Sequence, residues 1–100
     1  MNIQLRRRTT YHLSRGGPIC GACWSPIPAG DRYRRDTWRD GSHYWSILYC
    51  PQCRWMVQQV ETYTQPDYGG PEAEHFEAWA TAHPHTERAR QWALRTFPET

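Results

Sequence analysis

Four cysteines set as two CxxC pairs, Cys20 with Cys23 and Cys50 with Cys53, constrain this chain more than any other feature, with residues 24–49 lying between the pairs. Each pair lets two sulfurs converge on one side of a tight turn, and two such turns complete a tetrahedron around one metal ion. Four cysteines also suffice for two disulfides, and the compartment decides between the two outcomes. The N-terminal stretch MNIQLRRRTTYHLS has no apolar segment of the kind a secretory signal needs, and no run of about 18 apolar residues occurs. The expectation is a cytoplasmic chain that is neither exported nor membrane-spanning. There thiols stay reduced unless a metal takes them. One structural Zn²⁺ held by Cys20, Cys23, Cys50 and Cys53 is therefore expected, zinc being commoner than iron in closed sites of this spacing.

Composition explains why such a crosslink is needed. Of 100 residues 38% are apolar and the mean hydropathy is -0.92, which leaves little material for a purely hydrophobic core. The length suits one compact domain, or one mini-domain with an appendage, and no second, enzymatic domain is expected. All twelve basic residues are arginine, and they are unevenly placed. Residues 1–59 carry nine of them against Asp31, Asp36 and Asp40, whereas residues 60–100 carry three against seven acids. Four thiolates and one Zn²⁺ together remove two charges, and the first half still stays basic.

Along the chain, residues 1–17 hold Arg6, Arg7 and Arg8 and run into Gly16-Gly17-Pro18, a basic N-terminal arm that reads as flexible or strand-forming. The cysteine module spans 18–63. Within it, Pro26 to Gly30 make a turn, and Tyr33, Arg35 and Thr37 then alternate with Arg32, Arg34 and Asp36, as in a strand with two unlike faces. Asp40-Gly41 supplies turn chemistry, and His43 to Tyr49 is rich in aromatic and β-branched residues, so a hairpin is expected. The second cysteine pair opens a predicted helix over 51–63, with Pro51 in its first turn and Met56, Val60 and Tyr63 on one face. Prolines and glycines in 64–71 mark a linker that is either a domain edge or a hinge. Over 72–100, Phe76, Trp79 and Ala80, and after Pro84 the residues Ala89, Trp92, Ala93 and Phe97, predict two helices that pack on each other or on the cysteine module.

Knuckle, hairpin, then a helix carrying the second pair is the order of a treble-clef zinc finger, and a plain zinc ribbon is the alternative. The segment 18–56 resembles a broad group of uncharacterised small zinc-finger proteins from bacteriophages and actinobacteria. The shared pattern is CxxC, the stretch Ile27-Pro28-Ala29-Gly30-Asp31-Arg32-Tyr33, an aromatic hairpin and a final CxxC. The resemblance implies an α+β, treble-clef-like fold with the four cysteines as ligands, here carrying a two-helix C-terminal extension, and it brings no settled activity with it.

His75, His83 and His85 read as surface or cap residues beside a proline break rather than as a second metal site. His43 stands on the hairpin, where an HNH-like nuclease carries its base, but no acidic-His pair follows and 54–63 holds no His or Asn to match it. The chain is therefore read as non-enzymatic, with no catalytic residue. Two kinds of partner remain. Six tryptophans among many arginines match a protein interface, whose hot spots are enriched in Trp, Tyr and Arg. Binding to a host or cellular protein assembly, such as transcription or defence machinery, is the leading expectation. DNA or RNA binding is the alternative, through Arg6, Arg7, Arg8, Arg32, Arg34, Arg35, Arg39, Trp38 and Trp45, with guanidiniums on phosphates and rings on bases. The interleaved aspartates suit internal ion pairs and argue against a continuous basic groove. No membrane partner is expected.

Overall fold

The computed structural model describes residues 5–66 and 69–96. Three strands, β1 (Leu5–Leu13), β2 (Arg32–Asp40) and β3 (His43–Tyr49), form an antiparallel sheet in the order β1-β2-β3. Four helices follow: α1 (Pro51–Arg54), α2 (Val57–Thr64), α3 (Ala73–Ala82) and α4 (Glu87–Thr96). The architecture is α+β, with the helices gathered against one face of the sheet.

The basic N-terminal segment is a strand over its described length, Leu5 pairing with Asp40 and Leu13 with Arg32. Consecutive threonines and Tyr11 suit extended backbone. Asp40 pairs with His43 across the next turn, so Gly41 and Ser42 form a two-residue loop, and Gly41 supplies the positive φ of 59° that such loops require. Residues 14–31 leave the sheet and return to nearly the same point. Buried Ser14 closes this excursion: its N–H donates to Asp31 O at 2.8 Å, and its Oγ donates to Ile27 O at 2.7 Å while accepting from Gly16 N at 3.1 Å. The first cysteine pair is thus carried on a loop whose base is fixed.

One helix is expected over 51–63, and the chain instead makes two. Met56 N–H bonds Cys53 O at 3.0 Å, a three-residue closure that tightens the backbone for one turn before Val60 N–H resumes the four-residue pattern to Met56 O. Burial nevertheless continues across the break, at Cys53, Met56, Val57 and Val60. The expected apolar face shifts accordingly: Val57 turns inward, whereas Tyr63 is exposed and meets His83 edge-on.

After the left-handed cap at Gln65 (φ 45°), residues 69–71 are packed against the sheet and buried. Gly69 and Gly70 have φ of 76° and 81°, and a Cβ on either would lie 2.9 Å from the Trp45 ring or 2.8 Å from the Trp38 ring. Only glycine lets the backbone pass beneath these two indoles. Tyr49 then donates its hydroxyl to Pro71 O at 3.0 Å. Of the stretch whose composition suggests an edge or a hinge, residues 69–71 form a strap tied to the sheet.

The two C-terminal helices pack both on each other and on the cysteine module. Glu72 and His75 form a capping box at the start of α3, and His83 ends it, its Nδ1 2.8 Å from Trp79 O. Phe76, Trp79 and Ala80 from α3 and Ala89 and Trp92 from α4 join Tyr49, Met56, Val57, Val60, Ile27 and the cysteines in one buried cluster. Phe76 stands between Tyr49 and Trp92, with ring centroids 5.8 Å and 6.4 Å away. Phe97, expected on the α4 face, lies outside the described residues. No helix among the described residues is long and apolar enough to cross a membrane.

Candidate metal centre and sheet face

Cys20 and Cys23 lie on a tight turn. Trp24 N–H bonds Cys20 O at 3.0 Å, Cys20 N–H bonds Ser25 O at 3.0 Å, and Ile19 and Pro26 form a bridge below them. Gly21 N–H bonds Leu48 O at 2.7 Å and so pins this knuckle to β3, a close approach in which a Cβ on Gly21 would meet Ile47 Cγ2 at 2.8 Å. Cys50 is the extended residue that caps α1, and Cys53 lies within that helix's single turn, after Pro51 at its start. All four cysteines are buried and none is in a disulfide.

The four sulfurs lie within 4.8 Å of one another. A tetrahedral site with Zn–S bonds of roughly 2.3 Å needs sulfurs about 3.8 Å apart, and Cys23 Sγ and Cys50 Sγ are 3.9 Å apart. The group is able to hold one metal ion, and its dimensions fit zinc. Left to themselves the thiols share protons unequally. Cys20 is pushed above the ordinary thiol range by its bond to Cys23, and Cys53 by its bond to Cys20. Cys23 is pulled well below that range by the bond from Cys20, and Cys50, accepting from the same thiol, is lowered to about 6. A divalent cation replaces those shared protons. With four protein ligands such an ion would have no open position and would serve as a crosslink.

One side chain from outside the module reaches the centre. Arg95, near the end of α4, donates from Nη1 to Cys50 Sγ at 3.0 Å and to Gln52 Oε1 at 2.7 Å, and from Nε to Ser25 Oγ at 3.3 Å. Burial alone would lower its pKa, but the thiolate charges of Cys50, Cys23 and Cys53 more than reverse that and raise it. No sequence signal marks Arg95, because no spacing relates it to the cysteines.

The strand register sorts the remaining predicted residues into two sets. Side chains alternate along a strand, so partners in the ladder share a face. Arg7, Thr9 and Tyr11 lie with Arg34, Asp36 and Trp38, and with Trp45, Ile47 and Tyr49, on the face toward the helices. Asp36 is fully buried there. Arg34 grips it with Nε at 2.8 Å and Nη2 at 3.0 Å, Thr9 Oγ1 donates at 2.9 Å, and Arg7 lies 3.8 Å away while bonding Glu61 at 2.6 Å. Trp38 and Trp45 are half-buried over the glycine strap. Arg32, also on this side, is exposed at its margin.

The other face carries Arg6, Arg8, Thr10 and His12 from β1, Tyr33, Arg35, Thr37 and Arg39 from β2, and Tyr44, Ser46 and Leu48 from β3. It contains no acidic residue. All four of its arginines are exposed, and none joins an ion pair among the described residues. Arg39 donates to Gly41 O at 2.9 Å and lies over the Tyr44 ring, while Arg35 reaches Ser46 Oγ at 3.2 Å. His43 is exposed at the start of β3.

Comparisons with protein-family models, with curated proteins and with solved structures found no match to this chain.

Proposed function

We propose that the chain is a non-enzymatic, treble-clef-like zinc module that binds nucleic acid through the open face of its sheet. The order of knuckle, hairpin and cysteine-bearing helix supports the treble-clef reading. The observation that carries the binding proposal is the arrangement of charge. Arg6 lies directly opposite Arg39 in the ladder, on a face with four exposed arginines and no carboxylate. Like charges directly opposite one another destabilise a sheet. A polyanion laid across the face removes that cost, and of the bonded pair Thr37 and Ser46, 3.0 Å apart, one hydroxyl keeps a proton to donate to a phosphate oxygen. Two of the three aspartates that argued against a basic groove lie away from this face: Asp36 is buried behind it and Asp40 is on the helix side, while Asp31 is exposed beyond the start of β2, at the end away from Arg6 and Arg39.

The test is binding of a labelled oligonucleotide to the zinc-loaded protein and to the triple variant Arg8→Ala, Arg35→Ala, Arg39→Ala, across a salt series. The wild type should lose affinity steeply with salt, and the variant should flatten that slope by about 0.7–0.9 per arginine that had contacted a phosphate. Equal affinity and equal slope in the two proteins would refute the proposal.

A second reading, a protein partner, is favoured by one observation. Trp24 is 71% exposed at the tip of the knuckle and is held in the left-handed region at φ 63°. A large apolar ring fixed outward on a rigid turn suits an interface anchor. A complex of that kind would tolerate salt and be lost in Trp24→Ala.

A further inference from the structure

A second arginine and aromatic cluster lies on the helix side, at the margin where β1 meets α1. Tyr11 and Trp55 are 53% and 60% exposed there. The guanidinium of Arg54 lies over both rings, 5.7 Å from the Tyr11 centroid and 5.1 Å from that of Trp55. Arg88, from α4, lies 5.9 Å from the Trp55 ring and donates to Trp55 O at 3.1 Å. Tyr11, Arg32, Arg54 and Trp55 together line an open cleft of about 380 Å³. No ion pair among the described residues involves Arg32, Arg54 or Arg88. Four elements, β1, β2, α1 with its capping residue Trp55, and α4, thus bring π-surface and positive charge to one place.

We infer that this cleft is a stacking site for an unpaired base of single-stranded nucleic acid, with Arg32 and Arg88 taking the flanking phosphates. Aromatic rings and guanidinium planes both serve as stacking platforms for bases, and the platform here is layered from Tyr11, Arg54 and Trp55. The volume is at the lower end of the roughly 300–1,000 Å³ typical of ligand pockets, which suits one flat ring. A duplex keeps its bases stacked on one another and offers the cleft none. The charge matches phosphate rather than a basic or neutral peptide. This inference rests on the nucleic-acid reading of the open sheet face and adds to it a preference for single strands.

The experiment uses the full chain loaded with zinc, and fluorescence anisotropy of a labelled single-stranded oligothymidylate and of a duplex of equal length. The double variant Tyr11→Ala, Trp55→Ala should lose about tenfold or more of its single-strand affinity, since each stacked base contributes substantially. Its duplex affinity should change less than twofold. Trp55→Phe, which keeps a ring, should retain single-strand binding, and thermal melts of each variant establish that it folds. Unchanged single-strand affinity in the double variant overturns the inference, as does an equal loss on both ligands. Displacement of the oligonucleotide by poly-glutamate of matched charge, as effectively as by unlabelled oligonucleotide, also overturns it, because it reveals a general anion site. The sheet-face variant Arg8→Ala, Arg35→Ala, Arg39→Ala separates the two readings. If it binds single strands normally while the cleft variant does not, the sheet-face proposal fails and the cleft stands. If it alone loses binding, the cleft inference fails and the sheet face stands. A wild-type chain that binds neither ligand overturns both.

Discussion

The two faces of this sheet are built from the same strands and obey opposite rules. On the covered face, Asp36 is fully buried and the charges around it are answered, Arg34 by two bonds to Asp36 and Arg7 by Glu61, while the indoles of Trp38 and Trp45 pack over a glycine strap. On the open face, Arg6, Arg8, Arg35 and Arg39 stand among hydroxyls and rings with no carboxylate. Arg34 and Arg35 are neighbours in sequence, yet one grips a buried carboxylate and the other, bonded to Ser46, meets no carboxylate among the described residues. The period of two in a strand puts them on opposite faces. Charge that serves folding is paired; charge available for a ligand is left unpaired and carries a standing cost.

The strongest test of the comparison withholds the ion that the four cysteines are able to hold, since those cysteines belong to the buried cluster behind the covered face. Zinc binding in small finger modules contributes roughly 10–16 kcal/mol, more than the net stability of most small domains. Chelation, or Cys50→Ala, should abolish the cooperative melt and shift tryptophan emission to the red, because Trp79 and Trp92 are buried in the same cluster as the cysteines. An apo protein that still melts cooperatively at an unchanged temperature would break the link between the centre and the core.

Smaller, but more discriminating, is the pair of adjacent arginines. Removing one partner of a buried ion pair strands the other and costs about 3–5 kcal/mol. Asp36→Ala should approach that figure, because it leaves Arg34 only 15% exposed without its carboxylate, and Arg34→Ala should fall at its lower end. Arg35→Ala should stay within about 0.5 kcal/mol of wild type, as exposed substitutions away from such features do. Denaturant midpoints of the zinc-loaded proteins measure all three. If Arg34→Ala and Arg35→Ala are equally mild, the two faces do not differ as described.

The strap offers the next test. Gly70→Ala adds a methyl 2.8 Å from Trp38 Cζ2 at a backbone φ of 81°, combining a clash with a conformation that side chains resist. A loss of about 1–3 kcal/mol is expected. Gly41→Asn should be close to neutral, although its φ is also positive, because nothing lies near its Cβ and asparagine tolerates that region. Thermal melts of the two variants separate crowding from conformation.

Much of this arrangement is legible in the chain itself, and the limits have physical causes. The cysteine spacing announces the metal group, because ligand geometry is local within each CxxC. Asp40-Gly41 and the aromatic run after it announce the hairpin, and Phe76, Trp79 and Ala80 announce the inner side of α3. The assignment of arginines to faces was not legible, since alternation shows that two faces exist and not which is covered. That depends on β1, whose pairing to β2 brings Thr9 and Arg7 toward Asp36. The strap escaped for a related reason: Gly69 and Gly70 look like a hinge until the indoles that need them are in place. Arg54 and Trp55 gave no signal because their partners, Tyr11 and Arg88, are distant in sequence.

The smallest effect expected is also the one that tests whether the tail serves the metal. Arg95 joins α4 to the centre by a single N–H···S bond to Cys50, backed by bonds to Gln52 and Ser25. Groups that hydrogen-bond metal ligands orient them and tune the site, and their loss costs about 10–100-fold in metal affinity. Arg95 is partly exposed, so the lower end applies. Arg95→Gln should release zinc to a chromophoric chelator about tenfold more readily, and Arg95→Lys, which keeps the charge but not the planar fork, should fall between the two. Cobalt-substituted protein supplies an independent readout, because the sulfur-to-metal absorption reports directly on the thiolate that Arg95 touches. A merely structural role would lower the melting temperature while leaving that band in place. A shifted band with little change in melting would instead show that the C-terminal extension holds the metal centre in its working geometry. The helices of the tail would then be part of the module rather than an addition to it.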